Sequence, residues 1–365
     1  MARIKIAIAG VGNCASSLVQ GIHYYRGRPE ETAGLAHPEL GGWRVEDIEV
    51  VAAFDIDRRK VGRPLHDAIF SPPNNTRVLE SNLPASDVIV KMGSILDGVA
   101  PHMAEYPVAA RFDPADGPPV DVAAVLRESG ATILVNYMPV GAARATRFYA
   151  EACLASGTAM VNCVPEFIVS DPAWARRFEE RGIPCIGDDV KSQLGATITH
   201  RTLARLFVQR GIAIDATYQL NTGGNTDFLN MLDRRRLDSK RISKTQAVQS
   251  QLDVPLDPDR IHIGPSDYVP FLKDNKVCFV RIQGAGFAGA PVELELRLSV
   301  EDSPNSGGVV VDAIRCCQIA RDAKIGGPIV PACAWTMKHP PVQMADDAAR
   351  AAVRSFVRQP GSRVG

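Results

Sequence analysis

The chain has no excess of charge of either sign: its 365 residues carry 41 Lys and Arg against 41 Asp and Glu. Without a net field nothing holds nucleic acid or an anionic membrane at long range, so neither is expected as a partner. Any anion must be bound locally. No C-x-x-C pair occurs among the eight cysteines, which argues against a zinc ribbon or a redox dithiol. Cys14, Cys153, Cys163, Cys185 and Cys278 are scattered through apolar segments, and Cys316 and Cys317 are adjacent. They read as reduced thiols of a cytoplasmic protein. No stretch approaches the ~18–20 apolar residues of a membrane span. The opening MARIKIAIAG is too short for a signal peptide and ends in Gly, so a strand is expected there. Internal repeats and low-complexity tracts are also missing.

What is present is an ordinary globular composition, 45% hydrophobic and 22% charged, at a length suited to two packed units. Short apolar runs recur at 4–9, 48–57, 87–90, 131–137, 159–164 and 183–189. Helical patterns lie between them at 13–25, 141–156 and 171–182, the last opened by Asp171 and Pro172. Strand–helix alternation with near-continuous apolar strands predicts a parallel sheet covered on both faces. The pattern changes after a helix at about 194–210. A strand at 212–221, a polar helix at 227–244 and strands at 277–283 and 292–300 follow. In the last of these, Val292, Leu294, Leu296, Leu298 and Val300 alternate with polar residues, as in a half-buried antiparallel strand. The expected architecture is α/β. A doubly wound, Rossmann-type unit takes residues 1–190 and 305–365, its last helices returning to the first sheet. An α+β unit takes 191–304. The tail after Gln359 is expected to fray.

Three constellations have chemical content. Gly10-Val11-Gly12-Asn13-Cys14-Ala15 follows the first strand and opens a helix, a G-x-G-x-x-A phosphate loop. Gly10 permits the turn, Gly12 lets backbone approach a pyrophosphate, and the helix N-terminus offers free N–H groups. Asp55, ending the second strand after an insertion at 26–47, is the candidate for the ribose hydroxyls of NAD. Asp57 competes for that role, and Arg58 and Arg59 leave NADP open. The second constellation is the set of lysines and acids at 188–192, 239–244, 273–276, 301–303 and 337–338, each singly a solvated surface charge by composition. The third is Asn221-Thr222-Gly223-Gly224-Asn225-Thr226-Asp227, which either exposes backbone donors to an anion or is a flexible connection.

In this order the motifs resemble the myo-inositol-1-phosphate synthase family along nearly the whole chain. They are the 10–14 loop, GDDVKS at 187–192, GGNTDFLN at 223–230, SKRISKT at 239–245, KDNKV at 273–277, EDSPNS at 301–306 and MKHPP at 337–341. The length is similar to that of the short prokaryotic inositol-3-phosphate synthases. The resemblance implies a redox-neutral isomerase acting on glucose 6-phosphate, in which NAD oxidises C5, C6 closes on C1, and the hydride is returned. It also implies a homotetramer built on the second sheet, with inositol and phospholipid biosynthesis as its setting.

Carried over by position, the resemblance assigns Asp189, Lys240, Lys276, Asp302 and Lys338 to catalysis. Lys338 with Asp302 is expected to move the C5 hydroxyl proton, and Lys240 with Lys276 to stabilise oxyanions. Ser192 and Lys244 are expected to hold the substrate phosphate. Cofactor contacts are expected from Gly10, Gly12, Asn13, Cys14, Asp55, Ser129, Tyr149, Ser192, Asp227 and Lys240. Some prokaryotic members use a cation near the phosphate; its identity here is unknown, and no His/Cys/Asp spacing nominates ligands. The alternatives left open are a paralogue making another cyclitol phosphate, a simple NAD-dependent oxidoreductase, and a non-enzymatic NAD-sensing module.

Overall fold

Residues 4–9, apolar on both faces apart from the exposed Lys5, form an interior strand of a seven-stranded parallel sheet. The computed structural model describes residues 3–264 and 267–360; the tail beyond 360 lies outside the described residues. The sheet runs in the order Gly327–Pro328, Pro184–Ile186, Ala159–Asn162, Ile133–Asn136, Ile4–Ala9, Ile48–Asp55, Val90–Met92. Every neighbouring pair is parallel. Helices Asn13–Arg26, Ala143–Ser156, Pro172–Glu180 and Asp302–Asp322 accompany it. Asp171 caps the third of these, accepting from the N–H groups of Ala173 and Trp174, with Pro172 in the first turn. Two-sided cover explains why the strands read as unbroken apolar runs.

The second sheet is built on three long antiparallel strands, Ala213–Gly223, Asn275–Ala285 and Pro291–Glu301. Short strands Ile261–Ile263 and Asp267–Tyr268 join the first of them in parallel. Cys278, Val280 and Ile282 pack with Ala196 and Phe207 of helix Ala196–Gln209, while Val292, Leu294, Leu296 and Leu298 of the outer strand remain half-buried.

Most ends shift by one to three residues; three elements depart further from the sequence reading. The strand expected at 87–90 is instead Val90–Met92, because Leu65 N–H and Val88 C=O pair the preceding stretch with a loop. The polar helix expected at 227–244 is two helices, Thr226–Asn230 and Asp238–Gln249, separated by a 3-10 turn at Arg234–Arg236. Asp233 causes the break: its carboxylate accepts from the Arg235 N–H and pairs with the Arg235 guanidinium. The helix expected to begin near 306 starts at Asp302. The 26–47 insertion is held to that helix by a buried knot. The Asp312 carboxylate meets His37 Nδ1 at 2.7 Å, the Arg315 guanidinium at 2.5 Å and Trp335 Nε1 at 3.1 Å.

Candidate active site

The carboxyl ends of the parallel strands point at the amino end of the Asn275–Ala285 strand and at helix Asp238–Gln249, and a cleft lies between them. Ligand sites of open α/β sheets lie at this edge. Gly10, Gly12, Asn13, Cys14, Asp55, Asp189, Ser192, Asp227, Lys240, Lys244, Lys276, Asp302 and Lys338 all line it. Residues from 10 to 338 thus meet in one place.

On the sheet side, Gly10 takes φ +92°, and a Cβ there would lie 2.7 Å from the Tyr137 carbonyl oxygen. Gly12 faces open space. Helix Asn13–Arg26 starts without a side-chain cap, so its first amides are free for an anion in the cleft. Asp55 braces the loop: one carboxylate oxygen accepts from Val11 N–H at 2.7 Å, the other from the N–H groups of Ile56 and Asp57. Asp57 is buried and taken up by Arg59, and Arg58 pairs with Asp113. That leaves Asp55 as the acid at the strand end. The Asn13 side chain faces away from the loop, accepting from Asn75 and Thr76 N–H and donating to Asp274. The Cys14 thiol is turned toward Ser303 and Ser306, and burial pushes it up to about 12, so it is neutral. Only the backbone of these two residues is offered to a phosphate.

Two expected contacts are placed elsewhere. Ser129 caps a helix at the amino-terminal edge of the sheet, where its hydroxyl donates to the Leu126 carbonyl and it lines a separate groove with Val19 and Val50. It does not line the cleft. Tyr149 is buried behind the Asp55 strand against Phe54, its hydroxyl beside Gly93, rather than in the cleft wall.

On the facing side three ion pairs are formed. Lys240 Nζ lies 3.1 Å from Asp227 Oδ2, Lys276 Nζ 3.2 Å from Asp302 Oδ1, and Lys338 Nζ 2.8 Å from Asp189 Oδ1. The expected partnership of Lys338 with Asp302 is therefore corrected, because Asp302 is already engaged by Lys276. Ser243 Oγ completes the Asp189 shell at 2.6 Å. Lys244 is buried and, among the described residues, has no ion-pair partner. The electrostatics separate the lysines. Burial opposes charge on Lys276, but Asp302 and, behind it, Asp227 together outweigh burial and the net shift is upward. Burial dominates at Lys338, and its proton affinity is lowered despite Asp189. Lys244 falls well below the ordinary lysine value, through burial and then the charges of Lys240, Lys276 and Lys338. Desolvation and like charge disfavour the ammonium form in this way. Asp189 and Asp302, in turn, are held below the usual carboxylate value by their lysines in spite of burial.

Among the described residues no group of three His, Cys, Asp or Glu is arranged to hold a metal ion. Each cleft carboxylate opposite the loop already faces a lysine, so the donor set does not fit a resident cation. In the 221–227 motif the glycines do not serve as an anion nest. Gly224 is there for close approach: a Cβ would lie 2.4 Å from the Val269 carbonyl oxygen. Its N–H bonds Lys273 O.

Several residues of the site escaped the sequence reading. Lys60 is buried beneath the loop and donates to Val11 O at 2.8 Å and Asn74 Oδ1 at 2.9 Å. The 74–76 strap closes over Asn13; behind it Asp274, one of the charges grouped at 273–276, is buried rather than solvated. The only sequence signal for the strap was a run of amides after two prolines.

Comparison with known proteins shows what this arrangement belongs to. The family model for myo-inositol-1-phosphate synthase matches residues 195–303. An inositol-3-phosphate synthase of Mycolicibacterium smegmatis is 51% identical over 360 residues, covering 97% of this chain and 98% of that protein. The chain belongs to the myo-inositol-1-phosphate synthase family. The inositol-3-phosphate synthase of Corynebacterium glutamicum is likewise 51% identical, over 97% of this chain and 98% of its own. A solved myo-inositol-1-phosphate synthase-related protein from Thermotoga maritima superposes with a TM-score of 0.83 at 27% identity, covering 98% of each chain. The synthase-family motifs at 187–192, 239–245, 273–277, 301–306 and 337–341 are those that line the cleft or brace it.

Proposed function

We propose that this chain is an inositol-phosphate synthase that cyclises D-glucose 6-phosphate to 1D-myo-inositol 3-phosphate with NAD as a recycled cofactor. The observation that carries the reading is the convergence of three Lys/Asp pairs, and of Lys244 without an ion-pair partner among the described residues, opposite a G-x-G-x-x-A loop. The loop amides at 12–14 and the open space beside Gly12 suit a pyrophosphate, Asp55 suits the ribose hydroxyls, and Ser192, Asp227 and Lys240 border the nicotinamide end. When bound, NAD supplies a reversible hydride acceptor for C5. Tyr149 supports the ribose pocket from behind.

The residues then divide the work. Lys338, its proton affinity lowered and its amine held by Asp189, accepts the C5 hydroxyl proton as the alcohol becomes a ketone. The ketone acidifies the C6 protons, and loss of one leaves an enolate. Lys276, kept charged by Asp302, stabilises the enolate oxygen, with Lys240. C6 attacks the C1 aldehyde, forming the ring bond as the C1=O π bond opens to an alkoxide, and that oxygen takes up one proton in place of the one C6 gave up, so the closure is proton-neutral. Return of hydride to C5 and of the proton from Lys338 completes a redox-neutral cycle. Ser192 and Lys244 hold the phosphate, whose negative charge meets a buried amine with no carboxylate of its own.

Residues 1–190 with 305–365 form the NAD unit in this reading and 191–304 the catalytic and tetramerisation unit. Leu220 and Phe279, cross-strand partners each 43% exposed, and the half-buried edge strand Pro291–Glu301 support a homotetramer joined through the second sheet. All eight cysteines are free thiols, which supports a cytoplasmic location. Among the described residues, no helix is long and apolar enough to cross a membrane. Incubation with glucose 6-phosphate and catalytic NAD, followed by NMR, is expected to give an inositol monophosphate with no net reduced nicotinamide. Net reduced nicotinamide would replace this reading with a simple oxidoreductase, and a different ring product with a paralogous cyclase.

A further inference from the structure

Asp274 is a buried carboxyl that the chemistry above does not use. It ends the turn before strand Asn275–Ala285, two residues ahead of Lys276. One carboxylate oxygen accepts from Asn13 Nδ2 at 3.2 Å, Asn225 Nδ2 at 2.8 Å and Ser303 Oγ at 2.9 Å. The other accepts from Ser303 N–H at 3.2 Å. Its backbone carbonyl accepts Asp302 N–H at 2.9 Å. Burial and the neighbouring Asp302 carboxylate push its acid up to about 6. A carboxyl is an expensive group to bury for cohesion alone.

What Asp274 joins is specific. Asn13 belongs to the dinucleotide loop and grips the 74–76 strap. Asn225 caps helix Thr226–Asn230, its side-chain oxygen accepting from Asp227 and Phe228 N–H, and Asp227 holds Lys240. Ser303 follows Asp302, which holds Lys276. One carboxyl therefore ties the loop to two of the three Lys/Asp pairs, without touching the cleft itself.

We propose that Asp274 is a positioning residue, coupling occupancy of the dinucleotide loop to the alignment of the Lys240/Asp227 and Lys276/Asp302 pairs. This rests on the synthase reading above. An Asp274→Asn variant can keep one oxygen toward Asn13, Asn225 and Ser303 Oγ, but its amide N–H then faces the Ser303 N–H, so the acceptor that ties the Asp302–Ser303 turn is replaced by a second donor. Small misplacements of reacting groups cost about 10²-fold in rate.

The test measures NAD affinity by calorimetry, and kcat and KM for glucose 6-phosphate, in wild type, Asp274→Asn and Asn225→Ser. Rates are normalised to the folded fraction seen by circular dichroism. Asn225→Ser keeps a capping oxygen for helix Thr226–Asn230 but removes the donor to Asp274, so it decides the matter if Asp274→Asn does not fold. The expected result is weaker NAD binding and a kcat lowered by about 10²-fold with KM little changed. Normalised kcat and NAD affinity that stay at wild-type values in the folded variants would overturn the proposal. So would a loss that tracks only the folded fraction. Wild-type enzyme is assayed for inositol monophosphate in parallel. If wild type makes none, the synthase reading fails, and the NAD-affinity arm still decides whether Asp274 governs the loop.

Discussion

Lys338 Nζ donates to Asp189 Oδ1 at 2.8 Å across 149 residues of sequence, leaving Asp302 to Lys276. The two pairs are alike in chemistry and opposite in electrostatic outcome. Burial wins at Lys338, lowering its proton affinity, whereas at Lys276 Asp302 and Asp227 together overcome burial and raise it. One lysine is thus fitted to exchange a proton and the other to remain a fixed cation.

The two alanine variants are expected to fail at different steps. Lys276→Ala should lower turnover by ~10²–10³, the cost of one lost oxyanion donor, while NAD binds nearly as before and reduced nicotinamide still appears in a single turnover. Lys338→Ala should suppress that transient itself, because the C5 hydroxyl proton has no acceptor. Stopped-flow absorbance distinguishes them; a wild-type transient in Lys338→Ala would remove that lysine from the redox step, and wild-type turnover in Lys276→Ala would remove Lys276 from oxyanion stabilisation.

Lys244 gives a prediction with a definite sign. Its folded-state proton affinity lies well below the ordinary lysine value of about 10.5, so between the two values the unfolded chain binds the additional proton. The unfolding free energy therefore rises with pH across that window, and the burden on the fold is greatest below it. Lys244→Met should raise stability at neutral pH and flatten this pH dependence relative to wild type, while lowering activity through loss of the phosphate contact. Urea denaturation over a pH series measures the first effect and steady-state kinetics the second; a variant less stable than wild type at neutral pH contradicts the account.

The two loop glycines should respond differently to a side chain. Gly12 has open space beside it, so Gly12→Val should fold normally and bind NAD weakly, the new methyl groups occupying the approach of the pyrophosphate. Gly10→Ala places a Cβ 2.7 Å from Tyr137 O at φ +92°, and should cost stability on the order of 1–3 kcal/mol. Ser129→Ala, at the opposite edge of the sheet, should leave NAD affinity unchanged. Calorimetric titration and thermal melts read out all three, and retained NAD affinity in Gly12→Val would remove the loop from the cofactor site.

The proposed assembly predicts a change of mass. Sedimentation at micromolar concentration should show a tetramer for wild type and smaller species for Phe279→Asp, which puts a charge beside Leu220 on the exposed face. A wild-type monomer would exclude assembly through this sheet.

The sequence alone determined the features that are local along the chain. The apolar run at 4–9 followed by Gly10 and Gly12 specified a strand, a tight turn and an uncapped helix start. The period-two pattern at 292–300 specified a half-covered antiparallel strand. Both follow from backbone sterics and side-chain direction, which act over a few residues. Ordered motifs also singled out the lysines, but not their partners. Which carboxylate faces Lys338, whether Lys244 is paired, and how far each amine is dehydrated depend on elements separated by tens to hundreds of residues. Ser129, carried over by position from the family resemblance, precedes strand Ile133–Asn136 and so sits at the amino end of the sheet, away from the cleft. Only the tertiary structure decided these points, because proton affinity is set by burial and by the charges a few ångströms away, and these come from chain segments that are remote until the two sheets close on the cleft.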